Sequence, residues 1–183
     1  MMIEGELFEK ISQLQQDEYE CCQFVNCKFL EADFSNYRFV DCKFIDCNLL
    51  MLKVTNTLFS DVTFKGCKMY GIKFETCNPF MTFIFDNCQL NHSSFYKTKL
   101  RNLKFVNCSL KEVDFADADL TGVDFDNCDL LNAVFDGTIL INADLREAYN
   151  FVIDPDKNKI GKARFSNDNL AGLLTRYNIR IEG

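Results

Sequence analysis

Apolar residues recur at every fifth position along most of this chain. From Phe85 the series runs Leu90, Phe95, Leu100, Phe105, Leu110, Phe115, Leu120, Phe125, Leu130 and Phe135 to Leu140 and Leu145, so Phe and Leu alternate until the last step. An earlier block keeps the same period: Phe24, Phe29, Phe34, Phe39, Phe44, Leu49, Val54, Phe59, Phe64, Met69 and Phe74. Amphipathic helices repeat near 3.6 residues and half-buried strands at 2, so a sustained period of five belongs to neither. It predicts a repeat backbone that brings one side chain inward per unit. A second restricted position lies two residues before each of these centres and is mostly small or apolar, as in Val113, Ala118, Val123 and Cys128. The other three positions are largely polar. Asp114, Asp119, Asp124 and Asp129 stand just before centres, and Asn107, Asn127, Asn132 and Asn142 stand two after them. Two positions in five therefore point in and three point out.

With those units in view, the chain resembles the pentapeptide repeat family, whose unit reads roughly A-(D/N)-L/F-x-x. Residues 118–120 and 143–145 read Ala-Asp-Leu, 113–115 and 123–125 read Val-Asp-Phe, and 128–130 read Cys-Asp-Leu; the resemblance covers about residues 19–150. It implies a right-handed quadrilateral β-helix, an all-β solenoid with four units to a coil and centres twenty residues apart stacked on one face. In such a coil the alternation puts Phe on two opposite faces and Leu on the other two, which fills a square section at close-packed density.

The flanks break the period. Residues 1–18 carry Leu7, Phe8, Ile11 and Leu14 and read as a short cap helix or a degenerate first coil; we expect an irregular cap, since terminal repeats must close the open end of a solenoid. The register slips once, because Phe74 and Phe85 are eleven residues apart, and Pro79 falls on a centre. That slip reads as a one-residue bulge, either a tolerated defect or a functional bend. Residues 151–183 read as a capping and dimerisation module. Ser166 suits a helix N-cap for residues 167–176, Leu170, Leu173 and Leu174 share a face, and Ile179 and Ile181 alternate like a short strand after Tyr177. This tail resembles the C-terminal segments of the Qnr and MfpA branch of the family, which implies that Leu170, Leu173, Leu174, Tyr177, Ile179 and Ile181 join two copies tail to tail.

Nine of the ten cysteines occupy the inward position before a centre, and Cys27, Cys47, Cys67, Cys88, Cys108 and Cys128 form a ladder on one wall. A column of parallel side chains does not converge on a tetrahedral metal. The start of the chain lacks the basic and apolar regions of a signal peptide, so the expected compartment is the cytoplasm, where disulfides are rare. The ladder is expected to be structural, made of small buried hydrophobes. Cys21 lies off the pattern and is expected to be exposed and reactive.

Catalytic chemistry is not expected. The one histidine, His92, occupies an outward position without a nucleophile or phosphate loop near it, and no cofactor, metal or membrane span is indicated. Net charge is −7 with a pI near 4.8. From Glu112 to Asp136 the chain has eight acids, Glu112, Asp114, Asp117, Asp119, Asp124, Asp126, Asp129 and Asp136, and no base, whereas residues 21–111 carry 12 basic and 7 acidic residues. On an acidic coil of this kind the Qnr and MfpA resemblance implies a DNA mimic that binds DNA gyrase or topoisomerase IV, with possible quinolone resistance. The other reading of those aspartates is local, as partners for turn amides. An unrelated protein partner is the alternative function. Direct nucleic-acid binding through Lys28, Lys43, Lys53, Lys68, Lys73, Lys99 and Lys104 is disfavoured by the acidic pI and the scatter of these lysines over several faces.

Overall fold

The computed structural model describes residues 2–15, 17–180 and 182. Its strands are β1 (Ile3–Glu4), β2 (Leu7–Glu9), β3 (Glu18–Glu20), β4 (Gln23–Val25), β5 (Arg38–Val40), β6 (Lys43–Ile45), β7 (Leu58–Ser60), β8 (Val62–Lys65), β9 (Phe83–Asp86), β10 (Lys104–Val106) and β11 (Asp124–Asp126). All pair in parallel, as one sheet ordered β1-β3-β5-β7 and another ordered β11-β10-β9-β8-β6-β4-β2. The usual register step is twenty residues, as in Phe24↔Phe44 and Phe105↔Phe125. The result is a parallel β-solenoid of about six turns with one short C-terminal helix.

Each coil has four faces. The first carries Tyr19, Phe39 and Phe59 and later Leu100, Leu120 and Leu140; the second carries Phe24, Phe44, Phe64, Phe85, Phe105 and Phe125. The third carries Phe29, Leu49, Met69, Leu90, Leu110 and Leu130, and the fourth Phe34, Val54, Phe74, Phe95, Phe115 and Phe135. All these centres are buried. Rings within a face stack, Phe105 on Phe125 at 5.4 Å and 7°, whereas rings on the second and fourth faces meet edge to face, Phe95 and Phe105 at 6.0 Å and 81°. The Phe-opposite-Phe arrangement expected from the alternation holds from Phe85 onward. Before it, Phe39 and Phe44 put aromatics on adjacent faces as well.

Two local rules make the corners. The residue two after a centre adopts a left-handed backbone, with φ of 53° at Asn107, 50° at Asn127 and 58° at Asn132. Asn and Asp tolerate this region better than other side chains, which accounts for their recurrence there. The residue two before a centre is more than a small filler. Cys47 Sγ donates to the Phe24 carbonyl at 3.2 Å, Cys67 to Phe44 at 3.3 Å, Thr57 Oγ1 to Phe34 at 2.8 Å and Thr138 Oγ1 to Phe115 at 2.9 Å. Cys, Thr and Ser there supply one donor to a centre one coil below, except Thr98 beside the slip, which donates to Phe95 in its own coil at 2.7 Å.

Three departures from the sequence reading concern the ends and the slip. The N-terminal segment is a shortened coil in place of an irregular cap: β1 and β2 join the two sheets with a register of sixteen, Phe8↔Phe24, and Phe8 stacks on Phe24 at 5.1 Å. The coil ladder also passes residue 150. Lys159 pairs with Ile139 and Arg164 with Asp144, because Ile160 and Phe165 continue the period of Leu140 and Leu145. At the slip, Pro79 is exposed in a turn and does not fill its centre. Met81 and Phe83 are buried instead, and Phe83 touches Phe59, Phe64, Phe74 and Phe85. The missing volume on the first face is thus supplied from the position before the next centre.

Beyond Phe165 the chain lies over the end of the solenoid. Ser166 starts a 3-10 turn at Asn167–Asn169, followed by α1 (Ala171–Leu174) and a second 3-10 turn at Thr175–Tyr177. Asn169 Nδ2 donates to the Leu145 and Ala148 carbonyls at 2.7 and 3.0 Å and its Oδ1 accepts from Ser166 N–H, closing the last coil. Gly172 allows α1 to lie against Phe151, since a Cβ there would stand 2.4 Å from the Phe151 carbonyl oxygen. The strand expected after Tyr177 does not form at Ile179 and Arg180, where Asn178 turns the chain at φ 50°.

Candidate partner-binding surface

The eight acids between Glu112 and Asp136 do encircle the coil, and the fold distributes their charge unevenly. Asp119 lies on the first face, Asp124 and Asp126 on the second and Asp129 on the third. Asp114 and Asp136 lie on the fourth, with Glu112 and Asp117 at its two corners. Because centres stack twenty residues apart, four of the acids also meet a basic residue of the coil below. Arg101 Nη2 lies 2.6 Å from Asp119, Lys104 Nζ 3.2 Å from Asp124, Lys111 Nζ 3.1 Å from Asp129, and His92 Nδ1 3.2 Å from Glu112. The base-free stretch of sequence is therefore not base-free in space.

Asp119 and Asp129 are also buried, and each serves its own turn. Asp119 Oδ1 accepts from the Thr121 N–H and hydroxyl, while Asp129 Oδ1 accepts from the Leu131 N–H and Asn150. Partial burial pushes the Asp119 carboxyl up, but hydrogen bonds from Arg101 and Thr121 outweigh it and hold the group below its ordinary range. At Asp129 burial is likewise outweighed, by Asn150 and Lys111. Asp144, one coil on, is held low by Arg146 against partial burial, with Arg164 adding to the effect. These carboxylates act within the fold.

Among the described residues Asp114, Asp117, Asp126 and Asp136 make no ion pair. Asp117 and Asp136 are exposed, and Asp114 is half-buried, its Oδ1 accepting from the Ala116 N–H at 2.8 Å. Three of the four lie on the fourth face or its edge, so the acidic surface that remains is a patch on one side of the rod.

The C-terminal residues expected to join two copies divide between lid and surface. Leu173 packs on the core and Leu174 is half-buried, whereas Leu170, Tyr177 and Ile179 are 41%, 53% and 56% exposed; Ile181 lies outside the described residues. Val152 and Tyr149, exposed near the same end, extend the apolar surface and carry no periodic signal in the sequence. Exposed Phe80 and Ile84 beside the slip form a second apolar feature, likewise outside the repeat pattern.

All ten cysteines are free, and Cys27, Cys47, Cys67, Cys88, Cys108 and Cys128 are buried as a column. Cys21 is exposed as expected. Local desolvation and then the charges of Asp41, Glu20 and Glu4 push its thiol up. No group of residues suited to a metal ion and no helix long and apolar enough to cross a membrane occurs among the described residues.

A family model described as pentapeptide repeat region matches residues 18–79 and 78–149. Among solved structures, a trypsin-treated variant of QnrB1, a plasmid-mediated fluoroquinolone resistance protein, superposes with a TM-score of 0.65 at 17% identity, covering 100% of this chain and 99% of that one. HetL, a pentapeptide repeat protein involved in heterocyst differentiation regulation in the cyanobacterium Nostoc sp. strain PCC 7120, gives a TM-score of 0.44 at 11% identity over 90% of this chain and 84% of that one. At 17% identity the likeness to QnrB1 is one of fold. Comparison with curated proteins finds no significant match.

Proposed function

This chain belongs to the pentapeptide repeat family, and on that premise we propose that it is a non-enzymatic cytoplasmic binding protein that mimics DNA on a type II topoisomerase, DNA gyrase or topoisomerase IV. The observation that carries the reading is the unpaired acidic patch of Asp114, Asp117 and Asp136 on the fourth face. The rod as a whole is too weakly charged to imitate a duplex. Residues 21–150 have a net charge of −4, spread over roughly 31 Å at the inter-strand spacing, where duplex DNA carries one charge per ~1.7 Å. Three of the four belt acids without an ion pair are gathered on one face of the last coils. Pairing of two copies through Leu170, Tyr177 and Ile179 would set two such patches on either side of the dimer centre.

The test is supercoiling by purified gyrase, and by topoisomerase IV, with the protein titrated in, with and without a quinolone. The expected result is inhibition, or rescue from the drug, weakened at raised salt. The variant Asp114→Asn/Asp117→Asn/Asp136→Asn should lose the effect, whereas Asp124→Asn, whose charge is already met by Lys104, should keep most of it. No effect of the unaltered protein on either enzyme sinks this reading. A second reading, a repeat scaffold for another protein partner, is favoured by the exposed Phe80 and Ile84 at the slip. Co-purification that depends on Phe80 and not on the acidic patch would support it.

A further inference from the structure

The register slip opens a cavity between two coils. Elsewhere on the first face each coil bonds to the next, as Asp119 N–H does to the Thr98 carbonyl at 2.8 Å and Ile139 N–H to Ala118. The corresponding bond from Lys99 N–H to Cys77 is not made. Between these two coils opens a cavity of about 370 Å³, at the small end of the range for ligand pockets. Its apolar wall comes from Phe74, Cys77 and Met81, all buried, its charged groups are Glu75, Lys97 and Lys99, and Tyr96 and Thr98 complete the polar side. Burial, and then the Glu75 charge, push the Cys77 thiol up to about 12, so that wall stays neutral.

Glu75 is short of a partner. Its Oε2 is sealed from solvent and accepts no hydrogen bond, the one side-chain atom in that condition among the described residues. A buried acceptor left unmade is costly, and the broad terminal torsion of Glu lets either oxygen turn to an incoming donor. The charges around it limit what that donor can be. A cation would meet Lys97 and Lys99, neither of which has an ion-pair partner, and an anion would meet Glu75 itself. A neutral group avoids both. An aromatic one gains further, since ammonium groups favour ring faces, as Lys97 Nζ already does over Tyr96 at 4.7 Å.

We propose that this cavity binds a neutral, flat apolar group bearing one hydrogen-bond donor, the chemistry of an indole, which places its ring on Phe74 and Met81 and donates its N–H to Glu75. The site is independent of the acidic patch and of any topoisomerase. Two sources share this chemistry, a free indole and a tryptophan side chain on a partner protein.

The chain contains no tryptophan, so indole emission reports the ligand alone. Titration of the unaltered protein into indole, excited beyond tyrosine absorption, is expected to show saturable one-to-one binding. 1-Methylindole, which lacks the donor, should bind about tenfold to a hundredfold more weakly, the loss expected for one hydrogen bond to a charged group. Glu75→Ala should weaken indole by a similar factor and leave 1-methylindole unchanged. Tighter binding of indole than of N-acetyltryptophanamide identifies the free molecule as the source, and the reverse order identifies a partner's side chain. Absence of saturation, equal binding of indole and 1-methylindole, or tighter binding of tryptamine or indole-3-acetate overturns the proposal. The comparison of ligands on the unaltered protein decides the matter even where Glu75→Ala does not fold.

Discussion

The residue two before each centre shows how one side chain can satisfy packing and hydrogen bonding together. Thr138 is fully buried and donates to the Phe115 carbonyl. Thr138→Val keeps the shape and removes that bond, leaving the Phe115 carbonyl only the Ala118 N–H at 3.0 Å, so thermal or urea unfolding should show a loss of about 0.5–1.5 kcal/mol. The buried thiols are protected by the same geometry. With a thiol reagent, only Cys21 should label in the native protein, more slowly than free cysteine because nearby acids oppose the thiolate, and the other nine should label on unfolding. Acid should act through a different set. Asp119, Asp129 and Asp144 have folded-state values below the unfolded reference of about 3.9, so the stability they contribute is present above that pH and is lost as pH falls through their folded values. Melting temperature recorded from about pH 6 down to about pH 3 should fall less steeply in Asp119→Asn than in the unaltered chain.

At the scale of the element, the repeating unit was legible from the period of five, and its four-sided coil from the family resemblance. The ends were harder for identifiable reasons. Ile160 and Phe165 stand on the period, but the turn residues Ile153, Asp154 and Pro155 interrupt it and hide the final partial coil. At the N-terminus the step of sixteen breaks the repeat while leaving Phe8 stacked on Phe24. Pro79 matched the register by position, yet its exposed turn hands the inward role to Met81 and Phe83, a volume exchange with no local signature. The lid follows from close approach. Gly172→Ala puts a methyl group against the Phe151 backbone and ring and should cost about 1–3 kcal/mol as an overpacked site. Hydrogen exchange should then rise first at Ile153, whose N–H donates to the Gly172 carbonyl at 3.0 Å, while the coils near Phe44 stay protected.

Across the whole molecule, the acidic belt illustrates what a linear reading of charge omits. Acids at Asp119, Asp124 and Asp129 look unopposed along the chain because their partners Arg101, Lys104 and Lys111 precede them by nearly a full coil. A solenoid converts a separation of eighteen to twenty residues into contact, so charge must be read down each face, and what remains after that reading is the fourth-face patch. The C-terminal surface is subject to the same discipline, since only residues the lid does not use are free to meet another copy. Leu173, in the lid itself, is engaged against the core, whereas Leu170, Tyr177 and Ile179 are exposed. Tail-to-tail pairing therefore predicts that Leu170→Asp/Tyr177→Asp yields a monomer by light scattering, with the melting transition of the coils unchanged. An unaltered chain that is monomeric at high concentration would remove the dimer, and with it the placing of two acidic patches about one centre. The single patch would then have to act alone, and its inhibition of a topoisomerase should not depend on the tail.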